Sequence, residues 1–231
     1  MEIIVNNIKY DLRPEDGGAF VIANDYRGDI VIPAQFLVNG APIPVLGIAE
    51  DAFYGCDDAV GQNILSHYYN TSAKQNGGEQ QVVVMGKVLE ERHKDFMLWD
   101  VERGTPDRMQ EKYWQTCTCI GSWHYDQAVY NNNSYKSAAQ VVRMLVDIVS
   151  KNGNLLLSVP VRSDGTIDEK EQAILADIKA WMDQNSESIY GTRTWKTFGE
   201  GPLAEASNPM NAQGFNEGQN YSSRDVRYVQ K

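Results

Sequence analysis

The stretch Tyr135–Val159, YKSAAQVVRMLVDIVSKNGNLLLSV, decides the fold. Val141, Val142, Leu145, Ile148 and Val149 recur at steps of three and four residues, which puts them on one face of a helix running from Tyr135 to Lys151. Ser134 or Ser137 offers a cap at its start, and Asn152-Gly153 offers a stop. Leu155–Val159 then forms a short unbroken apolar run, closed by Pro160 and the Asp164-Gly165 turn, as in a buried strand. A further helix is expected from Asp168-Glu169, whose charges favour a helix's positive end. It gathers Ile174, Leu175, Ile178, Trp181 and Met182 on one side. Helix, strand and helix in this order predict parallel βα units.

The alternation continues upstream. Ile64 to about Gln75 reads as a short helix that breaks at Gly77-Gly78. Gln81–Met85 and Asp95–Trp99 read as buried strands, and Trp114–Ile120 as a third. Before Val60 the texture is strand-like, with turns at Asp16-Gly17-Gly18, Arg27-Gly28-Asp29 and Asn39-Gly40. Prolines 33, 42 and 44 restrict this part to short or edge strands, and Gly28–Pro33 reads as a strand ending at its proline. From Tyr190 to Lys231 the chain is rich in Gly, Asn and Ser and predicts loop. The expected division is 1–60, a small β-rich segment; 61–195, the α/β part; and 196–231, an irregular tail.

Composition narrows the function. Of 231 residues 42% are hydrophobic, enough for a packed core. The net charge of −10 argues against a nucleic-acid partner, which needs clustered Lys and Arg, and suits a neutral ligand such as a sugar. No stretch approaches the length of a membrane span, and Met1–Tyr10 lacks a charged start followed by an apolar run, which leaves the compartment open. Cys56, Cys117 and Cys119 have no metal-ligand spacing, so neither a metal nor another cofactor is expected; Cys117 and Cys119 would share a side of an extended chain.

Two resemblances follow. Gly28-Asp29-Ile30-Val31-Ile32-Pro33, with Val45, Ile48 and Ala52-Phe53-Tyr54-Gly55-Cys56, resembles the opening of a bacterial surface leucine-rich repeat. One such unit has no stacked neighbour to cover its apolar face, and weak stability is expected unless the rest of the chain covers it. From about Ile64 onward the chain resembles glycoside hydrolase family 29, the α-L-fucosidases. The residues that carry this are His67-Tyr68-Tyr69-Asn70, Asp100-Val101-Glu102-Arg103-Gly104, Trp114-Gln115-Thr116, Ile120-Gly121-Ser122-Trp123-His124-Tyr125, Leu145–Leu157, Asp164-Gly165-Thr166-Ile167, Glu187–Arg193 and Glu200-Gly201-Pro202. The family commonly has Gly where His124 stands and an acidic residue where Gln115 stands.

The resemblance implies the later βα units of a (β/α)8-type barrel, and retaining exo-hydrolysis of terminal α-L-fucose from a fucosylated glycan or small fucoside. Retention needs two carboxyl groups roughly 5–5.5 Å apart, one a nucleophile and one an acid/base, set at the C-terminal ends of barrel strands. Glu102 is the expected acid/base, following the apolar strand that ends at Trp99; the alternative is an ion pair with Arg103. A working acid requires Arg103 to point elsewhere, because an adjacent guanidinium holds a carboxyl ionised. Glu111 is the runner-up, in a polar run that reads as solvated loop. The family's nucleophile is an Asp upstream of the Tyr-Tyr-Asn segment, and no equivalent Trp-x-Asp occurs there. Asp100 is the local substitute, on the same face as Glu102 if extended; otherwise it orients its loop. Trp123, His124, Tyr125 and His67 are the expected sugar contacts, each with packing or a structural role as the alternative, and Trp181 and Trp195 are expected to pack.

The expectation is therefore a truncated fucosidase lacking its nucleophile, inactive or completed by another chain, with an open sheet edge inviting self-association. The alternatives are a carbohydrate-binding or adhesive fusion and a fragment without selected function.

Overall fold

The structure, a computed structural model, describes residues 1–26, 31–48, 58–206, 208–210 and 216–231. It divides into two units, Met1–Val82 and Val83–Lys231.

The first unit holds strands β1 (Glu2–Val5), β2 (Ile8–Arg13), β3 (Gly18–Val21), β4 (Gln35–Val38) and β5 (Ala41–Ile48), in sheet order β1-β2-β3-β5-β4. Neighbours are antiparallel except β3 and β5, which run parallel. Asn39 and Gly40 both take positive φ, 49° and 82°, and form the two-residue turn that joins β4 to β5 and fixes their register. That register makes Gln35–Val38 the partner of β5. Val31–Pro33 therefore stays outside the sheet, with Val31 exposed, and this corrects the strand expected at Gly28–Pro33. Period-two alternation buries Ile8 and Tyr10 of β2 and Ala19 and Val21 of β3, with Tyr26 and Phe36 beside them. The Tyr10 and Phe36 rings stack at 4.2 Å. Helix α1 (Asp58–Gln75) brings Ile64 onto this core, so the unit boundary falls after α1 rather than before it. The segment thus buries an apolar core of its own. Its Ala52-Phe53-Tyr54-Gly55-Cys56 motif and the Arg27-Gly28-Asp29 turn lie outside the described residues.

The second unit is built on a parallel sheet of β6 (Met85–Gly86), β7 (Leu98–Glu102), β8 (Trp114–Cys119) and β9 (Gly153–Ser158), in that order. Helices α2 (Gln127–Asn132) and α3 (Ala138–Ser150) connect β8 to β9, and α4 (Glu169–Asn185) follows β9. Ser137 caps α3: its hydroxyl accepts from Gln140 N, while the Gln140 side chain accepts from Ser137 N. The expected helix from Tyr135 thus starts later, behind the short α2, which Asn133 ends by turning left-handed at φ 53°. Asp168 caps α4 as its position predicts.

Two strand expectations need correction. Of Gln81–Met85 only Met85 joins the ladder, because β7 begins opposite it at Leu98, and Val83 is exposed. Glu91–Asp95 is a 3-10 turn, so the next strand begins at Leu98 rather than Asp95 and carries Asp100 and Glu102 within it. The tail is not irregular throughout: β10 (Arg193–Glu200) and β11 (Val226–Gln230) pair antiparallel, with α5 (Pro202–Glu205) between them. A buried charge holds this ribbon to α3, since Asp147 accepts from Arg227 Nε at 2.5 Å and from Lys151 Nζ at 2.9 Å.

The sheet has two unlike faces. Trp99, Val101, Trp114 and Leu155 pack under Met144 and Ile148 of α3. Gly153 is needed there for close approach: a Cβ would lie 2.4 Å from Cε2 of Trp114. The other face bears Asp100, Glu102, Gln115, Cys117, Asn154 and Leu156.

Candidate active site

On that second face, parallel register lines the side chains up in rows. Asp100 stands opposite Gln115, and Gln115 opposite Asn154; one step further on, Glu102 stands opposite Cys117, and Cys117 opposite Leu156. Lys87, just beyond β6, joins the rows. Its ammonium donates to Asp100 Oδ2 at 3.0 Å and to Cys117 Sγ at 3.0 Å, and lies 3.8 Å from Glu102 Oε2. Partial burial would push the Lys87 pKa down, but bonds to Cys117 and Asp100 outweigh it and hold the amine above its usual value. Gln115 Nε2 donates to Asp100 Oδ1 at 3.1 Å, so Asp100 is engaged through both oxygens. Glu102 is half-buried, and its contact with Lys87 is longer than that of Asp100. Asp100 and Glu102 therefore share a face and a cation, as their two-residue spacing predicts.

Arg103 points to the opposite face. It takes a left-handed φ of 48° at the end of β7, and its guanidinium reaches Glu217 Oε1 through Nε at 2.6 Å and Nη2 at 2.5 Å. The other carboxylate oxygen of Glu217 accepts from Thr118 Oγ1 at 2.6 Å, and Lys136 Nζ lies 3.4 Å from Oε1. Burial alone would raise the Glu217 pKa; the Thr118 and Arg103 bonds and the charge of Lys136 win and hold it below the usual carboxylate range. The backbone amides of Asn216 and Glu217 both donate to Arg103 O, while the Asn216 side chain accepts from Thr105 N and donates to Thr105 O. Glu217 was invisible to sequence reasoning: it is one acidic residue in a Gly- and Asn-rich stretch, and its partners are about a hundred residues away.

The remaining candidates separate. Trp123, His124 and Tyr125 follow β8, at the same sheet end as Glu102; Trp123 and His124 are exposed and Tyr125 is half-buried, 5.7 Å from the Arg162 guanidinium. His67 lies exposed on α1 in the first unit, apart from the unit that carries Glu102. Glu111 is exposed in the loop before β8. Trp181 is partly covered on α4, and Trp195 packs edge-on against Tyr228 across the β10–β11 ribbon. Cys117 and Cys119 share the face opposite α3, both as free thiols.

Parallel βα units that carry carboxylates at a strand's C-terminal end define a (β/α) barrel-type hydrolase. Residues 53–187 match the family described as Alpha-L-fucosidase, and the chain belongs to it. An α-L-fucosidase of Dictyostelium discoideum is 36% identical over 92 residues, 39% of this chain and 20% of that protein. The human plasma α-L-fucosidase is 32% identical over 98 residues, 42% of this chain and 21% of that protein. The chain thus spans about a fifth of the length of these relatives. A solved structure described as an α-L-fucosidase superposes with a TM-score of 0.54 at 23% identity, covering 74% of this chain and 34% of the other. The Thermotoga maritima α-fucosidase bound to a mechanism-based inhibitor gives 0.52 at 23% identity, covering 77% and 35%. These two likenesses support the barrel-type fold.

Proposed function

We propose that the chain is the later part of a retaining α-L-fucosidase catalytic domain, with Glu102 as acid/base. The observation that carries this is the placement of Glu102 as the last residue of β7 with Arg103 turned to the other face. A carboxyl so placed faces the region that barrel enzymes use for chemistry, free of the guanidinium next to it in sequence. Trp123, His124 and Tyr125 are the proposed sugar contacts: an indole or phenol face covers the C–H face of a neutral pyranose, and the imidazole hydrogen-bonds a hydroxyl. Asp100 is the second carboxylate on the four strands. With Lys87 and Gln115 on its two oxygens, it serves this reading best by holding Lys87 near Glu102, and the nucleophile then comes from elsewhere in the protein or from a second chain at an open edge. Release of nitrophenol from an aryl α-L-fucoside tests the assignment. Glu102→Gln is expected to lower turnover roughly 10²- to 10⁴-fold, the usual contribution of a general acid; unchanged turnover would remove Glu102 from the mechanism.

A second reading is favoured by the double engagement of Asp100: a module that binds fucosylated glycans without cleaving them, with residues 1–60 as a leucine-rich-repeat-like docking segment. Under it, saturable glycan binding persists in Glu102→Gln and no product forms from the parent.

A further inference from the structure

We propose that Glu217 is a positioning residue that draws the Arg103 guanidinium to the α3 face of the sheet and so leaves the Glu102 carboxyl free to carry a proton. The proposal rests on the reading of Glu102 as acid/base. Glu102 and Arg103 are chain neighbours at a strand end, where a long side chain can fold back around the edge, and the Arg103 side chain is 41% exposed. A guanidinium beside a carboxyl stabilises the carboxylate and lowers its pKa by roughly one to three units, which would deprive the acid of its proton at neutral pH. Lys87 already stands on the Glu102 face, divided between Asp100, Cys117 and Glu102. Arg103 would add a second cation there.

Three features keep it away. Glu217 engages two guanidinium nitrogens with one oxygen and is itself held by Thr118 and Lys136, so it cannot follow Arg103 outward. The amides of Asn216 and Glu217 fasten to Arg103 O, and Asn216 pairs in both directions with Thr105, which clamps the peptide on each side of Gly104. That clamp maintains Arg103 in its left-handed conformation, one that a residue with a Cβ adopts only when its surroundings impose it. The Glu217 side chain is only 12% exposed. Buried ion pairs stabilise folds weakly against apolar replacements, so stability alone gives little reason for a carboxylate here. Direction of Arg103 gives one.

The test is the protonation midpoint of Glu102, read by carboxyl-carbon NMR in the full chain, beside the pH profile of kcat/KM on an aryl α-L-fucoside. Glu217→Gln is expected to lower the Glu102 midpoint by about one pH unit or more and to move the alkaline limb down with it. Arg103→Met alone should leave the midpoint in place, and Arg103→Met combined with Glu217→Gln should restore it. A midpoint unchanged by Glu217→Gln, or still depressed in the double variant, would overturn the proposal and leave Glu217 a structural anchor. Should Glu217→Gln melt before it can be titrated, Glu217→Asp, which keeps the charge but shortens its reach, must shift the midpoint in the same direction. The NMR midpoint needs no turnover, so failure of the acid/base reading, seen as activity surviving Glu102→Gln, is read separately.

Discussion

Glu171, in the first turn of α4, is 1% exposed and lies beside the capping carboxylate of Asp168. Asp168 accepts from the Tyr135 hydroxyl and from the amides of Lys170 and Glu171, and is held ionised by these bonds against its own burial. Burial first, then the Asp168 charge, pushes the Glu171 carboxyl up to about 7. A carboxyl raised in the folded state favours folding fully below its unfolded pKa, and that contribution is lost as pH rises through about 7. Denaturant unfolding is therefore expected to show stability falling between about pH 5 and about pH 8, by roughly 3 kcal/mol at most. Glu171→Gln should flatten that slope; an unaltered slope would place its origin elsewhere. Individual residues were unevenly legible in the sequence. The capping role of Asp168 and the shared face of Asp100 and Glu102 follow from local spacing. Burial of Glu171 and the grip of Glu217 on Arg103 depend on packing and on pairings that no local pattern encodes.

Among elements, α3 carries the most of the second unit: it covers the sheet, begins in a capping box and anchors the β10–β11 ribbon. Ser137→Ala should cost ~1 kcal/mol by removing one arm of that box. Asp147→Ala should cost about 3–5 kcal/mol, since it leaves Lys151 and Arg227, 4% and 5% exposed, as buried cations without their shared carboxylate. Thermal melts of the two variants should rank in that order. Reading the elements from sequence succeeded where the signal was local. The 3.6-residue period and serine cap marked α3, and Asn39-Gly40 marked its hairpin. It failed where partners decided the outcome: Gln81–Val84 is apolar enough for a strand but has no β7 residue opposite it, and β10 and β11 are separated by an irregular stretch that hides their pairing.

For the whole molecule, each unit has its own apolar core, one around Tyr10 and Val21 and one around Trp114 and Ile148. All five tryptophans, Trp99, Trp114, Trp123, Trp181 and Trp195, belong to the second unit. Tryptophan fluorescence thus reports that unit alone, while far-ultraviolet dichroism sums both. Non-coincident guanidinium transitions by the two probes are expected, and superimposable curves would mean that the units melt as one. No described helix is long and apolar enough to cross a membrane. The clasp on Arg103 also has a consequence in time. Glu217 lies 114 residues after Arg103, and at roughly 5–20 residues per second a ribosome delivers it some 6–23 seconds later. Through that interval the nascent chain carries Glu102 beside an uncommitted guanidinium, so its acid side chain takes its final setting only when the last part of the protein has been made.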